Sequence, residues 1–370
     1  MFLAFIFKKK KRLPIENIKN ILILKFAAIG DTILMIPMLK NLRENFPDAD
    51  ITFACSPINY DVVKRIPYID KIVNRNVHSF LLKPFKFIGF VKELRKVRYD
   101  ILIDAGQWER INAIVVAFLK YDYAIGYKTW RQFKHFLFDY IVYHKKYKHE
   151  LENFLDLIVP LGIHLNNKNK KFEFFTSREE IEFGEKFFLE NNLNDNKVIC
   201  LHPGCGPNGR PREWGIENYI SLANNLLSED KNYFFLISGA LADSSTSAKI
   251  ANGIKFNKIN VTGKYSLDRF IGILKKVDLL VCSNNGVMHI ASSMGVRTMG
   301  LYGPTNALKW GVYNSDSIVM KSDKYCSPCL YLGHDYGCRR PDCMKYIKVS
   351  DVFESVVRNF RYKTACKKTN

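Results

Sequence analysis

A carboxylate interrupts an apolar stretch near the start of this sequence. Residues 21–42, ILILKFAAIGDTILMIPMLKNL, are typical of an apolar strand, a short loop and an apolar helix, and Asp31 lies at the end of the loop. Aspartate is a favoured helix N-cap, which is one interpretation of Asp31. The other is a general base, which requires a carboxylate within hydrogen-bond reach of a hydroxyl group. The spacing alone leaves both interpretations open.

A second loop combines glycine, proline and arginine. The segment 201–215, LHPGCGPNGRPREWG, follows the apolar run KVICL and carries Arg210 and Arg212 before a helix that is predicted to begin near Gly215. Backbone amides and guanidinium groups together bind phosphate oxygens, because arginine pairs with them in a bidentate manner. A solvated basic loop is the alternative interpretation.

Two more loops in the same half of the chain follow predicted strands. The first, in CSNNGVMHIASS, places a polar turn where a strand ends and a helix begins, and the second, in GLYGPTN, closes another strand. Amide groups at the start of a helix attract anions. Together with the arginine loop, they favour a nucleoside diphosphate as the ligand. The candidate residues are Asn284, Asn285, Gly286, His289, Gly303, Pro304 and Thr305.

Four of the nine cysteines cluster near the C-terminus in CSPCLYLGHDYGCRRPDC. Their spacing is compatible with a tetrahedral structural zinc site, for which His334 is a competing ligand. A loop of free or occasionally oxidised thiols is the alternative. The cysteines concerned are Cys326, Cys329, Cys338 and Cys343.

The elements that must position these residues alternate between short apolar runs and amphipathic stretches. Such alternation predicts parallel sheets covered by helices, an α/β fold. Ile33, Ile36, Leu39, Leu42 and Phe46 recur at spacings of three or four and predict one face of a single helix. That face needs no cofactor to explain it, since it is typical of a packed core.

The length of 370 residues predicts two domains, with a linker near residues 165–178. We predict a first domain over 1–170 with a basic tail at 1–14, a second over 178–345, and a C-terminal helix and basic tail over 346–370. Two doubly wound domains facing each other across a cleft would place ligands at the carboxyl ends of their strands. No internal sequence repeat is visible, so the halves are two similar folds.

A dinucleotide-binding dehydrogenase is poorly supported. The loop after the first strand contains Gly30 alone, whereas the dinucleotide fingerprint has three glycines at Gly-x-Gly-x-x-Gly spacing. A nucleic-acid-binding protein fits the charge, yet no DNA or RNA module motif occurs and the basic residues are dispersed. Nucleic acid is therefore not an expected partner.

The net charge of +20, from 56 basic and 36 acidic residues, favours anionic partners, although a genomic bias in composition accounts for it equally well. The N-terminus, MFLAFIFKKKKRLP, is too short to span a bilayer and lacks the order of a secretory signal. It predicts peripheral attachment to an anionic membrane surface, with a disordered basic tail as the alternative. We expect a cytoplasmic location.

Read in order, the strand and loop at 21–53, the arginine loop, the segment at 261–295 and GLYGPTN resemble the bacterial lipopolysaccharide heptosyltransferases of glycosyltransferase family 9. The resemblance covers nearly the whole chain. It implies a GT-B fold of two Rossmann-like domains, in which the first binds mainly the acceptor and the second mainly the sugar nucleotide.

The resemblance also implies roles for individual residues. Asp31 matches the aspartate taken to be the catalytic base, and Arg212 stands where the family usually has a lysine that stabilises the departing diphosphate. Asn284 and Asn285 depart from the family pattern, which has aspartate followed by threonine or serine. Gly30, Glu109 and Arg110 are candidate acceptor contacts.

The resulting hypothesis is an inverting, metal-independent enzyme that moves heptose from ADP-heptose onto the lipopolysaccharide inner core, at the cytoplasmic face of the inner membrane. Its expected partners are the nucleotide sugar, the lipid A-core acceptor and the anionic inner membrane surface, and no cofactor is required. The alternatives are a related glycosyltransferase that uses another nucleotide sugar for a different surface glycan, and a catalytically impaired relative that only binds the nucleotide sugar.

Overall fold

The computed structural model describes residues 17–80, 83–166, 170, 173–206, 209–313, 317–332, 338 and 342–367. The chain divides into two compact units, and the division falls between Phe175 and Thr176. The predicted membrane-attaching tail at 1–14 lies outside the described residues, as does the end of the C-terminal tail at 368–370. Among the described helices, none has the length and apolar character needed to cross a bilayer.

The first unit contains a six-stranded parallel sheet in the order β3-β2-β1-β4-β5-β6. Its strands are β1 (Asn20–Leu24), β2 (Asp50–Cys55), β3 (Lys71–Asn74), β4 (Tyr99–Asp104), β5 (Tyr121–Lys128) and β6 (Tyr140–Tyr143). Its helices are α1 (Ile29–Leu34), α2 (Ile36–Asn45), α3 (Tyr60–Val63), α4 (Pro84–Leu94), α5 (Arg110–Phe118) and α6 (Glu150–Asp156).

Strand β1 is the centre of this sheet because its apolar run is covered on both faces. Ile21 to Leu24 are fully buried, as expected for an inner strand of a parallel sheet flanked by helices. Leu22 and Leu24 belong to a core that also contains Leu102 of β4 and Val115 of α5. Burial of this run fixes where β1 ends, and therefore where the residues that follow it lie.

The single helix predicted across Ile33 to Phe46 is two helices. Its five apolar residues are all buried as predicted, but Met35 separates α1 from α2. The reason is Pro37 in the first turn of α2, because proline has no N–H to continue the helical hydrogen bonding of α1.

The second unit contains a six-stranded parallel sheet in the order β12-β11-β10-β7-β8-β9. Its strands are β7 (Lys197–His202), β8 (Tyr233–Ile237), β9 (Lys258–Asn260), β10 (Leu279–Ser283), β11 (Thr298–Tyr302) and β12 (Ile318–Lys321). Its helices are α7 (Arg178–Glu190), α8 (Ile216–Glu229), α9 (Ser244–Gly253), α10 (Leu267–Lys276), α11 (Gly286–Ser293), α12 (Ala307–Trp310) and α13 (Val349–Lys367).

The C-terminal helix α13 is part of the core of this second unit. Val352, Val356 and Phe360 recur every four residues along α13, and all three are buried against residues of the sheet and of α8. The spacing places them on one helix face, which explains how the end of the chain is held to the unit.

Both sheets have the same topology, with the strand order reversing between the first and fourth strands of each unit. These neighbours are β1 and β4 in the first unit and β7 and β10 in the second. In open α/β sheets, ligands bind outside the carboxyl ends of the strands at this reversal. The described elements thus confirm the predicted α/β class and indicate where each unit should carry its chemistry.

Candidate active site

In the first unit, a buried lysine lies directly after β1. The side chain of Lys25 is fully buried, and its Nζ lies 2.9 Å from Asp31 Oδ2 and 3.0 Å from Glu109 Oε1. Asp31 follows β1 and Glu109 follows β4, so the ion pairs join the two strands where the sheet order reverses. Buried charges are retained in proteins when they are paired in this way.

Asp31 does not cap the helix that carries it. The N-cap of α1 is Ala28, Asp31 is the third helical residue, and no side chain caps this helix. The N-cap interpretation of Asp31 is therefore wrong. Its carboxylate turns instead to Lys25 and accepts a hydrogen bond of 3.2 Å from Gln107 Nε2.

Burial dominates the electrostatics of this carboxylate. Removal from water raises the pKa of Asp31 above its ordinary value of 3.8, and the Lys25 ammonium only partly offsets this, while Glu150 and Glu109 raise it further. For Lys25, burial alone would lower the pKa, but the carboxylates of Asp31 and Glu109 outweigh it and raise the pKa. A carboxylate with a raised pKa beside a permanent cation has the properties of a general base.

Gln107 links this ion pair to a second buried carboxylate. Its Oε1 accepts a hydrogen bond from Lys25 Nζ, and its Nε2 donates to Asp31 and, at 2.9 Å, to Glu150 Oε1. Glu150, the first residue of α6, also lies 2.8 Å from His144 Nε2. The amide orientation is fixed by this arrangement, because a reversed amide would direct its NH₂ group at the ammonium.

The three predicted acceptor contacts have different surroundings. Gly30 is half-buried in the first turn of α1, next to Asp31. Glu109 is held by Lys25 and accepts a hydrogen bond from the backbone N–H of Trp108 at 3.3 Å. Arg110, the first residue of α5, is exposed. The structure thus brings Gly30, Asp31 and Glu109 together, and the acceptor roles of all three contacts stay predictions.

In the second unit, Arg212 spans the loops after β7 and β10. Its Nη1 donates to the backbone oxygen of Asn284 at 3.0 Å, and its Nη2 donates to the backbone oxygen of Cys205 at 3.4 Å. The Nε of Arg212 is buried and has no hydrogen-bond partner among the described residues. A buried donor of this kind points to a missing acceptor. Arg210, two residues earlier, is exposed.

The turn after β10 is fixed by its two asparagines. Asn285 is the N-cap of α11, accepts from Met288 N at 3.0 Å and donates from Nδ2 to the backbone oxygen of Gly204 at 2.9 Å. Gly286 is the first residue of α11, and His289 is buried within the helix. The two side-chain hydrogen bonds of Asn285 therefore hold the end of β10 against the loop after β7, which is its neighbouring strand in the sheet.

Asn284 uses both ends of its amide. Its Nδ2 donates to the backbone oxygen of Trp310 at 2.9 Å, and its Oδ1 lies 3.4 Å from Arg212 Nη1. An aspartate at this position would keep the acceptor and lose the donor. Asparagine at this position therefore supplies both the donor for the Trp310 carbonyl and an acceptor beside Arg212.

Asn284→Asp is expected to lower the free energy of unfolding by about 1–3 kcal/mol, because it leaves the buried Trp310 carbonyl without its donor and beside a negative charge. Chemical denaturation monitored by tryptophan fluorescence measures this. Asn306→Asp is the matched control, because Asn306 caps α12 only as an acceptor from Leu308 N and aspartate caps equally well. Equal stability of Asn284→Asp and the wild type would contradict the expectation.

The loop after β11 packs against the cysteine-containing segment. Gly303, Pro304 and Thr305 are buried, and both Cys329 N and Leu330 N donate to the Pro304 carbonyl, at 3.0 Å and 2.8 Å. A Cβ on Gly303 would clash with the Met344 side chain, so the loop packs closely against the segment that carries Met344. The Oγ1 of Thr305 is buried and lacks a partner among the described residues.

The zinc interpretation of the cysteine cluster is not supported. Cys326, Cys329 and Cys338 are exposed, Cys343 is buried, and all four are free thiols. Within the described ranges, no group of three or more His, Cys, Asp and Glu residues is arranged to hold a metal ion. His334 lies outside the described residues.

Three contributors to the first-unit site were not predicted from the sequence. Lys25, Gln107 and Glu150 hold Asp31 directly or through one side chain. A signal for Lys25 was present, because a lysine that ends a fully apolar strand run must either leave the sheet or be paired. Gln107 and Glu150 carried no comparable signal, since both lie in polar segments where such residues are ordinary.

One known protein family matches most of this chain. The family model described as glycosyltransferase family 9 (heptosyltransferase) matches residues 88–338, which is more than half of the chain. The chain belongs to glycosyltransferase family 9. Arg212 and Asn284 lie within the matched range, whereas Asp31 precedes it.

A curated relative of this family 9 chain is the lipopolysaccharide core heptosyltransferase OpsX of Haemophilus influenzae. The two are 23% identical over 306 residues, which cover 82% of this chain and 85% of the relative. Among solved structures, Escherichia coli ADP-heptose lipopolysaccharide heptosyltransferase II aligns with a TM-score of 0.74 and 16% identity, over 93% of this chain and 99% of that one.

Escherichia coli heptosyltransferase WaaC with ADP aligns with a TM-score of 0.68 and 16% identity, over 92% of this chain and 99% of that one. At such identities these structural similarities establish the shared fold. The predicted membership of family 9, the predicted fold of two Rossmann-like domains and the prediction of a glycosyltransferase are therefore confirmed.

Proposed function

We propose that this family 9 glycosyltransferase transfers heptose from ADP-heptose to the lipopolysaccharide inner core by an inverting, metal-independent reaction. Relatives named as lipopolysaccharide heptosyltransferases and a relative's complex with ADP support the substrate class. The observation that carries the chemistry is the buried Asp31 carboxylate, which Lys25 and Gln107 hold at the end of β1.

In the proposed step, Asp31 accepts the proton of an acceptor hydroxyl as that oxygen attacks the anomeric carbon of the donor. The new bond joins the acceptor oxygen to the anomeric carbon, and the bond from that carbon to the diphosphate oxygen breaks. ADP departs with the electron pair. Inversion follows because attack and departure take place on opposite faces of one carbon.

The second unit supplies the nucleotide site in this proposal. Arg212 would neutralise the charge that develops on the departing diphosphate, which its unpartnered Nε supports. The loops that hold Arg212, Asn285 and Thr305 follow three adjacent strands, β7, β10 and β11, so their groups lie at one edge of the sheet. Gly286, His289, Gly303 and Pro304 belong to the same loops and helix start, and their donor roles stay proposals, as does that of Arg210.

Arg212→Gln is expected to raise the Kd for ADP about tenfold or more, because it removes a charged hydrogen-bond donor from the diphosphate. Arg210→Gln is the matched control, since Arg210 is exposed, and a clearly smaller increase is expected. Calorimetric titration of both variants with ADP measures the difference. Equal effects of the two substitutions would remove the special role of Arg212.

Calorimetric titration of the wild-type protein with ADP, UDP, GDP and NAD tests the donor class. Selective ADP binding supports the proposal. Preference for UDP or GDP would favour a related glycosyltransferase with another nucleotide sugar, for which the replacement of the family's aspartate by Asn284 is the specific reason. ADP binding without transfer of heptose to a heptose-deficient core acceptor would favour a relative that only binds the nucleotide sugar.

The proposed cellular location follows from the lipid anchor of the acceptor. A lipid A-core acceptor lies in the inner membrane, so we propose peripheral attachment at its cytoplasmic face. The net charge of +20 supports attraction to an anionic surface.

A further inference from the structure

Five aromatic side chains are exposed at the carboxyl ends of β5 and β6 in the first unit. Between 63% and 79% of each residue is accessible to solvent, an unusual density for a short stretch of surface. We name this surface the aromatic rim; its aromatic members are Trp130, Phe133, Phe136, Tyr143 and Tyr147.

Basic side chains are interleaved with these rings. The Arg131 guanidinium carbon lies 4.2 Å from the centre of the Trp130 ring, and Lys128 Nζ lies 5.0 Å from the centre of the Tyr143 ring. Between residues 123 and 149 there are six lysines and arginines and one acidic residue, Asp139. Lys128, Arg131, Lys145 and Lys146 are exposed, whereas Lys134 is buried. Asp139 is half-buried and accepts a hydrogen bond from the backbone N–H of Ala124, so the exposed charge of the rim is positive.

The rim is anchored rather than loose. Lys134 is buried, and its Nζ lies 2.7 Å from Asp104 Oδ2 at the end of β4 and also donates to the Gly106 carbonyl. Just before this anchor in the chain, Arg131 and Phe133 have φ values of 61° and 53°, in the left-handed region that bulky residues rarely adopt. Strained backbone that holds apolar rings in water suggests selection for a surface function.

The anchor also fixes where the rim lies. Gly106 lies in the loop after β4 that also carries Gln107, which contacts Lys25 and Asp31, and Glu109, which pairs with Lys25. The rim is therefore joined directly to the loop with the candidate acceptor contacts, at the same edge of the sheet. A surface at that position would meet whatever carries the acceptor.

We propose that the aromatic rim is a membrane-binding surface that inserts its rings among the headgroups of an anionic phospholipid layer. Amphipathic aromatic rings favour the interface between water and acyl chains, and lysine and arginine add attraction to anionic headgroups. The choice of a membrane as the partner rests on the proposed function, because a lipid-borne acceptor requires the active site to face a membrane. The rim assigns that contact to the folded first unit, in addition to any contribution of the basic tail.

Single-stranded nucleic acid is the main competing occupant for a surface of aromatic and basic side chains. Lipid is the favoured occupant for two reasons. The five rings come from the end of one strand and from two separate segments. In addition, Lys128 and Arg131 already lie against ring faces on which a base would have to stack. The experiment below includes an oligonucleotide for this reason.

The test measures flotation of the full chain with vesicles of phosphatidylethanolamine and phosphatidylglycerol, and with vesicles of phosphatidylcholine. Trp130→Ser/Phe133→Ser/Phe136→Ser is expected to lower partitioning onto the anionic vesicles roughly tenfold or more. The matched control Leu189→Ser/Phe256→Ser/Tyr325→Ser removes three exposed apolar side chains from the second unit and should bind like the wild type. A third variant replaces Lys8, Lys9, Lys10 and Lys11 with Gln.

The proposal is overturned if the rim variant partitions like the wild type, if the control loses as much, if only the tail variant loses binding, or if the wild type prefers a single-stranded oligonucleotide to the vesicles. ADP binding and transfer to a soluble, delipidated core oligosaccharide are measured on the same variants. Unchanged values with lost vesicle binding support the rim. Absence of transfer in the wild type would refute the proposed function, while the flotation result would still decide the rim.

Discussion

Asp31→Asn is expected to lower kcat roughly 100- to 10,000-fold, because it removes the group that accepts the acceptor proton. The Kd for ADP should stay unchanged, since the proposed nucleotide site lies in the other unit. A transfer assay with ADP-heptose and a heptose-deficient core acceptor measures kcat, and calorimetry measures ADP binding.

The fold should tolerate Asp31→Asn. Burial raises the pKa of Asp31, which means that its ionised form is costly in the folded protein. Lys25 keeps the Glu109 carboxylate at 3.0 Å and the Gln107 oxygen as partners after the substitution. Loss of activity would therefore report on chemistry rather than on unfolding.

Asp61→Asn is the matched control for Asp31→Asn. Asp61 also lies in the first turn of a short helix of the same unit, but it is exposed, and its ion pair is with Lys64, at 2.9 Å. Its substitution should leave kcat at the wild-type value. A rate near that of the wild type for Asp31→Asn would remove Asp31 from the mechanism.

Lys25→Met is expected to lower the free energy of unfolding at neutral pH by about 3–5 kcal/mol, because it leaves two buried carboxylates without their cation. Typical domains are stable by only about 5–15 kcal/mol, so the loss is large and measurable by urea denaturation. Adding Asp31→Asn to this variant should restore part of the stability, since one of the two unpaired charges is then gone.

Lys25→Met should also move the pH dependence of kcat/KM. Asp31 must be ionised to act as a base, and its pKa is raised, so the acidic limb of the wild type should lie above pH 3.8. Lys25 lowers the pKa of Asp31, and its removal should shift that limb to still higher pH. The stability contributed by Lys25 itself should be present below pH 10.5 and lost as the pH rises through its raised pKa.

Lys134→Met is the control that distinguishes the effect of Lys25→Met on stability from its effect on the pKa of Asp31. Lys134 forms a buried ion pair of the same kind with Asp104 in the same unit, so its loss should also reduce stability. It should leave the acidic limb where it is, because it is not paired with Asp31. A limb that stays in place for Lys25→Met, or moves equally for both variants, would show that Lys25 does not tune Asp31.

The α/β fold and the loops in which chemistry should be sought follow from the pattern of apolar runs along the chain. Apolar runs such as Ile21 to Leu24 can be buried on both faces only as inner strands, and this places the loops after them at one edge of a sheet. Asp31, Arg212 and Asn284 were found in this way, since each follows such a run. Their catalytic and binding roles came from the resemblance to family 9 and stay proposals.

The side chains that surround those residues are set by three-dimensional packing and could not be predicted from the sequence. Lys25 and Gln107 are 82 residues apart along the chain, and Gln107 and Glu150 are 43 apart. The adjacency of β1 and β4 makes Lys25 and Gln107 neighbours. The corresponding adjacency of β7 and β10 in the second unit joins Arg212 to the carbonyl of Asn284, 72 residues later. No local pattern encodes such pairs, because each depends on which strands are adjacent.

The structure likewise decided among alternatives that spacing had left open. Asp31 could cap a helix by residue type, but Ala28 occupies the cap and the carboxylate is drawn to the buried Lys25. The cysteines have a spacing compatible with zinc, yet among the residues that the structure describes no group of three or more His, Cys, Asp and Glu residues is arranged to hold a metal ion. Spacing along a chain sets which groups are available, whereas packing and charge in three dimensions set which of them meet.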